Sequence, residues 1–182
     1  MVDGASHQKT LKGHTARVSA LAISEKAPIV ASFACNGEVR LWMIVGEDVE
    51  PVAKAKVGKA AHDWNSCISY SKDGTLLAVP DAYGVVVFDE HLNVLQKIEC
   101  KSAIVGCVYS QDFLFAFSTN GAVEVYNKDT NEHLQTITVC NCAILSLAVS
   151  DDQRTIYTVP FFFIVYQLLL GGRGGKCAFW NH

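Results

Sequence analysis

A glycine-rich stretch near the end of the chain, GGRGGK at residues 171–176, has the residue types of a phosphate-binding loop. Such a loop needs four residues between its first glycine and the Gly-Lys pair, and then Ser or Thr. Counting back from Gly175 places Leu170 where the first glycine must be, and Cys177 follows the lysine. The stretch is therefore interpreted as a flexible loop, and no cofactor is expected.

The seven cysteines and six histidines are the residues that could bind a metal ion or take part in catalysis. Cys140-Asn141-Cys142 has one residue between its thiols, where redox motifs have two, and no second Cys/His pair with zinc spacing lies near it. The sequence has no Ser nucleophile elbow and no His-x-x-x-His motif. We therefore predict no metal site and no catalytic residues; the alternative is an enzyme whose site forms from side chains of separate repeats.

Charge and hydropathy restrict the partners and the compartment. The 182 residues include 15 basic and 18 acidic ones, for a net charge of -3, and no basic cluster stands out, so nucleic acid is not expected as the main partner. The N-terminal MVDGASHQKT lacks the apolar core of a signal peptide, which favours reduced cysteines and a cytoplasmic or nuclear location. The apolar residues 156–170 are too few for the ~20 of a membrane-spanning helix, so a buried strand pair or an aberrant segment is favoured over a membrane span.

An apolar alternation that ends in serine recurs four times along the chain. It reads VSALAIS to Ser24, NSCISYS to Ser71, IVGCVYS to Ser110 and ILSLAVS to Ser150, at separations of 47, 39 and 40 residues. A polar turn and a second short apolar run follow each serine. Three of the copies continue through a glycine into a third run that ends in an aromatic residue. Short strands repeated about every forty residues predict an all-β fold, a β-propeller of four-stranded antiparallel blades.

The first copy resembles a complete WD-repeat unit in its Gly13-His14 pair, its LAIS and VAS runs, its Asn36-Gly37 turn and its closing VRLW. The later copies resemble the unit less closely, and the second and third close on Phe88 and Tyr126. The resemblance implies about four WD-like units within residues 1–159, near 11–43, 61–89, 101–127 and 141–159. Since WD-repeat propellers usually have about seven blades, both a small closed ring and a partial propeller remain open.

The resemblance also implies roles for individual residues. A hydrogen-bonded set across the first blade would consist of His14, Ser32, Asn36 and Trp42, with Asn36 in the place of the usual aspartate; these residues stabilise the blade. Seven residues before each serine lie the entries to the innermost strands, which ring one mouth of the channel in the family. The candidate partner-binding residues are Arg17 and Trp64 at these entries and Asp63 directly before Trp64, although Trp64 packed against a neighbouring blade is an equal alternative.

Residues 160–182 depart furthest from the repeat. They hold the end of the apolar segment, the glycine-rich loop and a candidate closing strand, KCAFW, with Trp180 expected at the tryptophan position. By the same resemblance, a strand around residues 7–12 would fill the outer place of the last blade. The extra length between Ser150 and Trp180 is read either as an insertion in the fourth blade or as a splice-like junction.

The sequence therefore predicts a non-catalytic scaffold that binds other proteins or peptides within a larger assembly. One alternative is a truncated or splice-variant fragment that needs a partner to complete the ring. Another is an enzyme with a site at the channel mouth. Self-association through an open blade edge is a further expectation, because an open strand edge templates pairing with another chain.

Overall fold

Four antiparallel sheets make up the part of the chain that the computed structural model describes, which is residues 10–46, 48–58, 66–161, 166–169 and 178–180. Each sheet has four strands that pair in chain order. Sheet 1 contains β1 (Val18–Ile23), β2 (Ile29–Ala34), β3 (Glu38–Val45) and β4 (Asp48–Lys56). Sheet 2 contains β5 (Ser69–Tyr70), β6 (Leu77–Asp81), β7 (Gly84–Phe88) and β8 (Val94–Glu99). Sheet 3 contains β9 (Ile104–Tyr109), β10 (Phe113–Ser118), β11 (Ala122–Asn127) and β12 (His133–Thr138). Sheet 4 contains β13 (Ile144–Val149), β14 (Thr155–Pro160), β15 (Tyr166–Leu169) and β16 (Ala178–Trp180).

The recurring serines close the first hairpin of every sheet. The backbone N–H of Ser71 donates to the carbonyl of Leu76 at 2.9 Å, and the N–H of Leu76 donates back to the Ser71 hydroxyl at 3.0 Å. Ser110 with Phe113, and Ser150 with Thr155, make the same reciprocal pair. Ser24 accepts instead from the N–H of Ala27 at 3.3 Å. A serine at this point satisfies turn groups that the ladder leaves unpaired, which explains why the residue type repeats.

Strand register is the same in all four sheets. Val30 on β2 lies between Ile23 on β1 and Trp42 on β3. The corresponding triplets are Tyr70–Leu77–Phe88 in sheet 2 and Tyr109–Leu114–Tyr126 in sheet 3. In sheet 4 the triplet is Val149–Ile156–Leu168. Positions can therefore be compared from sheet to sheet by their distance from the serine.

Three hydrophobic clusters join the sheets in the order 1, 2, 3, 4. The first cluster packs Phe33 and Leu41 of sheet 1 against Leu77 and Phe88 of sheet 2. A second cluster joins sheet 2 to sheet 3, and a third joins sheet 3 to sheet 4. Among the described residues, no cluster of this kind joins sheet 4 back to sheet 1. The predicted all-β class with four-stranded antiparallel sheets is confirmed, and no closed ring is shown among the described residues, which is consistent with a partial propeller.

Sheet 4 corrects two expectations for the end of the chain. Its third strand is β15, from the apolar segment, and the backbone of Leu168 lies opposite Ile156 at the position that Trp42 occupies in sheet 1. Trp180 belongs instead to β16, the outer strand. Residues 10–12 are not in a strand, and residues 7–9 lie outside the described residues. Because β15 supplies a third strand earlier in the chain, Ala178–Trp180 takes the outer place.

The apolar segment contributes strands to sheet 4 in the residues that the structure describes there. No helix among the described residues has the length and apolar character to span a membrane. Strand β14 of this segment pairs with β13, and strand β15 pairs with β16, so the described part of the segment is built into the sheet.

Two glycines allow the backbone constraint at the β2–β3 turn to be tested. Gly37 and Gly46 both have positive φ, 83° and 62°. A Cβ on Gly37 would collide with the carbonyl oxygens of Val57 and Gly58, whereas a Cβ on Gly46 would meet no atom within 4 Å. We predict that Gly46→Ala lowers the free energy of unfolding by about 1 kcal/mol, from the left-handed backbone alone, and that Gly37→Ala lowers it by at least about 1 kcal/mol more. Urea denaturation of both variants measures the difference. Equal losses would show that the turn relaxes away from residues 57–58.

Candidate functional site

His14, Ser32 and Trp42 form a hydrogen-bonded set on the outer face of sheet 1. The Ser32 hydroxyl lies 2.6 Å from Nε2 of His14 and accepts a hydrogen bond of 2.8 Å from the Trp42 indole N–H. Ser32 and Trp42 are 3% and 4% exposed. Ser32 accepts from the indole and can donate its own proton to Nε2 of an imidazole that is protonated on Nδ1. The set connects the loop before β1 to the two central strands.

Glu38, and not Asn36, is the acidic partner of this set. Oε1 of Glu38 lies 3.1 Å from Nδ1 of His14, without the alignment of a well-directed hydrogen bond, and also pairs with Arg40. Asn36 accepts from the backbone N–H of Glu38 at 3.1 Å and donates to the Thr15 hydroxyl at 3.4 Å. The inclusion of Asn36 in the set is therefore corrected, because its short side chain closes its own turn and the longer Glu38 reaches the imidazole.

Burial and charge act in opposite directions on His14. Burial lowers the pKa of the imidazole, the Glu38 carboxylate opposes that shift, and Arg40 adds to it. The net pKa is below the ordinary value, so His14 is neutral at neutral pH and suited to hydrogen bonding with Ser32. The residue acts here as a structural group.

Sheet 3 contains a different polar set at the equivalent place. The Tyr126 hydroxyl donates to Oε2 of Glu124 at 2.6 Å and lies 3.4 Å from Sγ of Cys100. Tyr126 occupies the position of Trp42, and Cys100 lies ten residues before Ser110 as His14 does before Ser24. Burial raises the pKa of the Cys100 thiol to about 11 and also raises the pKa of Tyr126, so both stay protonated. Sequence reasoning missed this set, although a glutamate within the apolar run AVEVY was a usable signal.

The entries to the innermost strands share one backbone contact. The carbonyls of Arg17, Ala103 and Ala143 each accept a hydrogen bond from the chain just after the second strand of the same sheet, at 2.9, 3.0 and 2.8 Å. Arg17 is exposed at this end of sheet 1. The other two candidate partner-binding residues, Asp63 and Trp64, lie outside the described residues, as does His62.

An exposed tyrosine lies at the corresponding end of sheet 2. Tyr83, in the β6–β7 turn, is 68% exposed and borders a cavity of about 280 Å³ that also has Asp81, Lys97 and Glu99 in its wall. The turn is attached to the chain that leads into the next sheet. The Tyr83 carbonyl accepts from the N–H of Cys100, in the loop between β8 and β9, at 2.8 Å, and the Ala82 carbonyl accepts from the N–H of Ile104, the first residue of β9, at 3.2 Å. No sequence motif pointed to Tyr83; its place in the turn that matches Asn36-Gly37 could have done so.

Cys140 and Cys142 are the described thiols that lie closest together in a loop. Their sulfur atoms are 3.5 Å apart between β12 and β13. Within the described ranges no three or more His, Cys, Asp or Glu side chains gather as a metal site would require. The glycine-rich loop at 171–176 lies outside those ranges.

Comparison with known proteins identifies the repeat. The family model described as "WD domain, G-beta repeat" matches residues 5–43. One curated relative is the WD repeat and HMG-box DNA-binding protein 1 of Xenopus laevis. It is 27% identical to this chain over an alignment of 185 residues, gaps included, that covers 85% of this chain and 16% of that protein. The chain thus aligns with about a sixth of the relative's length.

Solved structures share the fold at low identity. The structure of U3-55K matches with a TM-score of 0.80 and 16% identity over 95% of this chain and 54% of that one. The computationally designed Ika4 protein matches with a TM-score of 0.72 and 17% identity over 92% of this chain and all of that one. The fold therefore defines a protein of the β-propeller class. The repeat match over residues 5–43 confirms the resemblance of the first unit to a WD repeat, and the curated relative is likewise named as a WD-repeat protein.

The Trp42 side chain allows a test of the sheet 1 set. We predict that Trp42→Ala lowers the free energy of unfolding by about 3–5 kcal/mol, because it removes a buried aromatic side chain and the donor to Ser32. Trp42→Phe keeps most of the ring and should cost about 1–2 kcal/mol. Thermal melts followed by circular dichroism measure both, with the exposed His91→Ala as control. A midpoint for Trp42→Ala equal to that of the control would contradict the burial of Trp42.

The tyrosine hydroxyls of sheet 3 provide a matched pair for the second set. Tyr126→Phe removes the donor to the buried Glu124 and should cost about 1–3 kcal/mol of stability. Tyr109→Phe removes a buried hydroxyl that has no hydrogen-bond partner among the described residues, and should change stability by less than about 0.5 kcal/mol. Urea denaturation at pH 7 compares them. Equal effects would show that Glu124 does not depend on Tyr126.

Proposed function

We propose that this chain is a non-catalytic module that binds a protein or peptide with the loops at the Arg17 and Tyr83 end of its sheets. WD-repeat proteins are generally interaction scaffolds, and the family likeness supports that role here. Tyr83 is the observation that carries the proposal, because a large side chain exposed to 68% beside a cavity is what a binding anchor requires.

The fixed backbone of the Tyr83 turn favours binding. Hydrogen bonds from Cys100, in the loop before sheet 3, and from Ile104, the first residue of sheet 3, hold this turn in place, so little conformational entropy is lost when a partner contacts it. Lys97 and Glu99 in the cavity wall provide charges of both signs for polar groups of a peptide. Tyrosine adds area at low entropic cost because it has only two side-chain torsions.

Arg17, Asp63 and Trp64 complete the proposed surface. Arg17 supplies a cation at the end of sheet 1, and Asp63 and Trp64 precede β5 of sheet 2 in the chain. We assign contacts with the partner to Arg17 and Trp64 because both lie seven residues before a recurring serine, and to Asp63 because it adjoins Trp64. A protein partner is favoured over nucleic acid by the net charge of -3, although the curated relative is named for DNA binding. A nuclear or cytoplasmic location belongs to the same proposal.

Selection from a random peptide library displayed on phage, with the immobilised full chain as target, tests the function. The selected peptides are expected to lose at least about tenfold in affinity against Tyr83→Ala and Arg17→Glu, which corresponds to about 1.4 kcal/mol. Leu134→Ala is the control, because Leu134 is 50% exposed on the outer strand β12 of sheet 3. Peptides that bind both variants as they bind the wild type, or a failure to select any peptide, would count against the proposed surface.

A further inference from the structure

The outer face of sheet 1 has an uncovered apolar surface on its innermost strand. Leu21 and Ile23 on β1 are 66% and 70% exposed, and Val18 on the same strand is also exposed. Their neighbours Ala20 and Ala22 point to the other face, where they pack against the cluster shared with sheet 2. We call Leu21, Ile23 and Val18 the first end face.

The same positions are covered in every other sheet. The residue three places before the serine is Leu21 in sheet 1, and its equivalents are Ile68, Cys107 and Leu147. All three equivalents are buried, each in the cluster shared with the preceding sheet. The same holds one residue before the serine. The equivalents of Ile23 are Tyr70, Tyr109 and Val149, and each packs in the cluster shared with the preceding sheet. The first end face therefore has the register of a surface that packs against another blade.

Sheet 4 leaves the opposite half of the same interface uncovered. Tyr157 on β14 is 40% exposed, and Ala148, opposite it on β13, is exposed as well. The equivalents of Tyr157 are Ala31, Ala78 and Phe115, and each is fully buried against the following sheet. We call Tyr157 and Ala148 the second end face.

We propose that the second end face of one copy of this chain packs on the first end face of another copy. The two end faces are the two sides of the interface that already joins sheets 1 to 2, 2 to 3 and 3 to 4, so the proposed contact continues that series. Within one chain they do not pack together in the described structure. A second copy presents both faces and can cover both faces of the first.

Two copies related by a twofold axis make this contact twice. Each contact joins the first end face of one copy to the second end face of the other. Contacts between two different surfaces leave no end face exposed only when the copies form a closed arrangement. With four sheets in each copy, a closed pair places every sheet between two neighbours. This contact uses sheet faces, whereas the proposed binding loops lie at the ends of the strands, so it is independent of the proposed function.

The association state of the full chain tests the proposal. Sedimentation equilibrium over a concentration series is expected to show a particle of two chains. Leu21→Glu and Tyr157→Glu should each shift the particle to one chain, raising the dissociation constant at least about a hundredfold by burying a carboxylate at the contact. The control is Leu95→Glu, which changes an equally large residue, 57% exposed, on the outer strand β8. Circular dichroism spectra with the strand content of the wild type, and a cooperative melt, verify that the variants fold.

Mixing the two disrupted variants identifies which faces meet. In a mixed pair, sheet 4 of the Leu21→Glu chain meets sheet 1 of the Tyr157→Glu chain, and this contact carries neither substitution. When the two variants carry different tags and are mixed, they should therefore form mixed pairs, although neither variant pairs with itself. A wild-type chain that is monomeric, or a pair insensitive to Tyr157→Glu, overturns the proposal. Dissociation by Leu95→Glu equal to that by Leu21→Glu also overturns it, as does growth into open polymers.

Discussion

Sheets 2 and 3 pack apolar residues against a neighbouring sheet on both of their faces, and burying both faces is the constraint on which the rest of the structure depends. A sheet with one polar face can end in solvent, but in β6 and β10 successive residues are apolar and buried on both sides. In sheet 3, for example, Leu114 packs toward sheet 2 while Phe115 packs toward sheet 4. The sheets must therefore stack face to face in a series, and the stability of each depends on its neighbours.

The packing of one sheet on the next does not determine the positions of the loops between the sheets. The buried polar sets determine them. In sheet 1 the loop before β1 is attached through His14 to Ser32 and Trp42, and in sheet 3 the corresponding loop is attached through Cys100 to Tyr126 and Glu124. The chemistry differs, but each set links a loop to a central strand where water is excluded. Groups buried in this way must find partners, so each set specifies one loop position.

The repeat and the class of fold could be predicted from the sequence because the serine hairpin and the aromatic position depend on local spacing. The contact of Glu38, rather than Asn36, with His14 could not be predicted, since it depends on which side chain is long enough to reach the imidazole in three dimensions. Leu168 took the place expected for Trp180 because several apolar residues compete for the third strand of sheet 4. Tyr83 was missed because a single exposed side chain in a turn has no periodic signal.

These two kinds of constraint leave the strand ends comparatively unconstrained, and that is where variation can serve binding. Residues between sheets are limited by volume, and residues in the polar sets are limited by hydrogen-bond partners. The Tyr83 side chain meets neither limit, yet its backbone is held by Cys100 and Ile104 of the adjoining segment. A surface made of such residues can change its side chains without changing the stack beneath it, because its position is determined by backbone contacts with the next sheet.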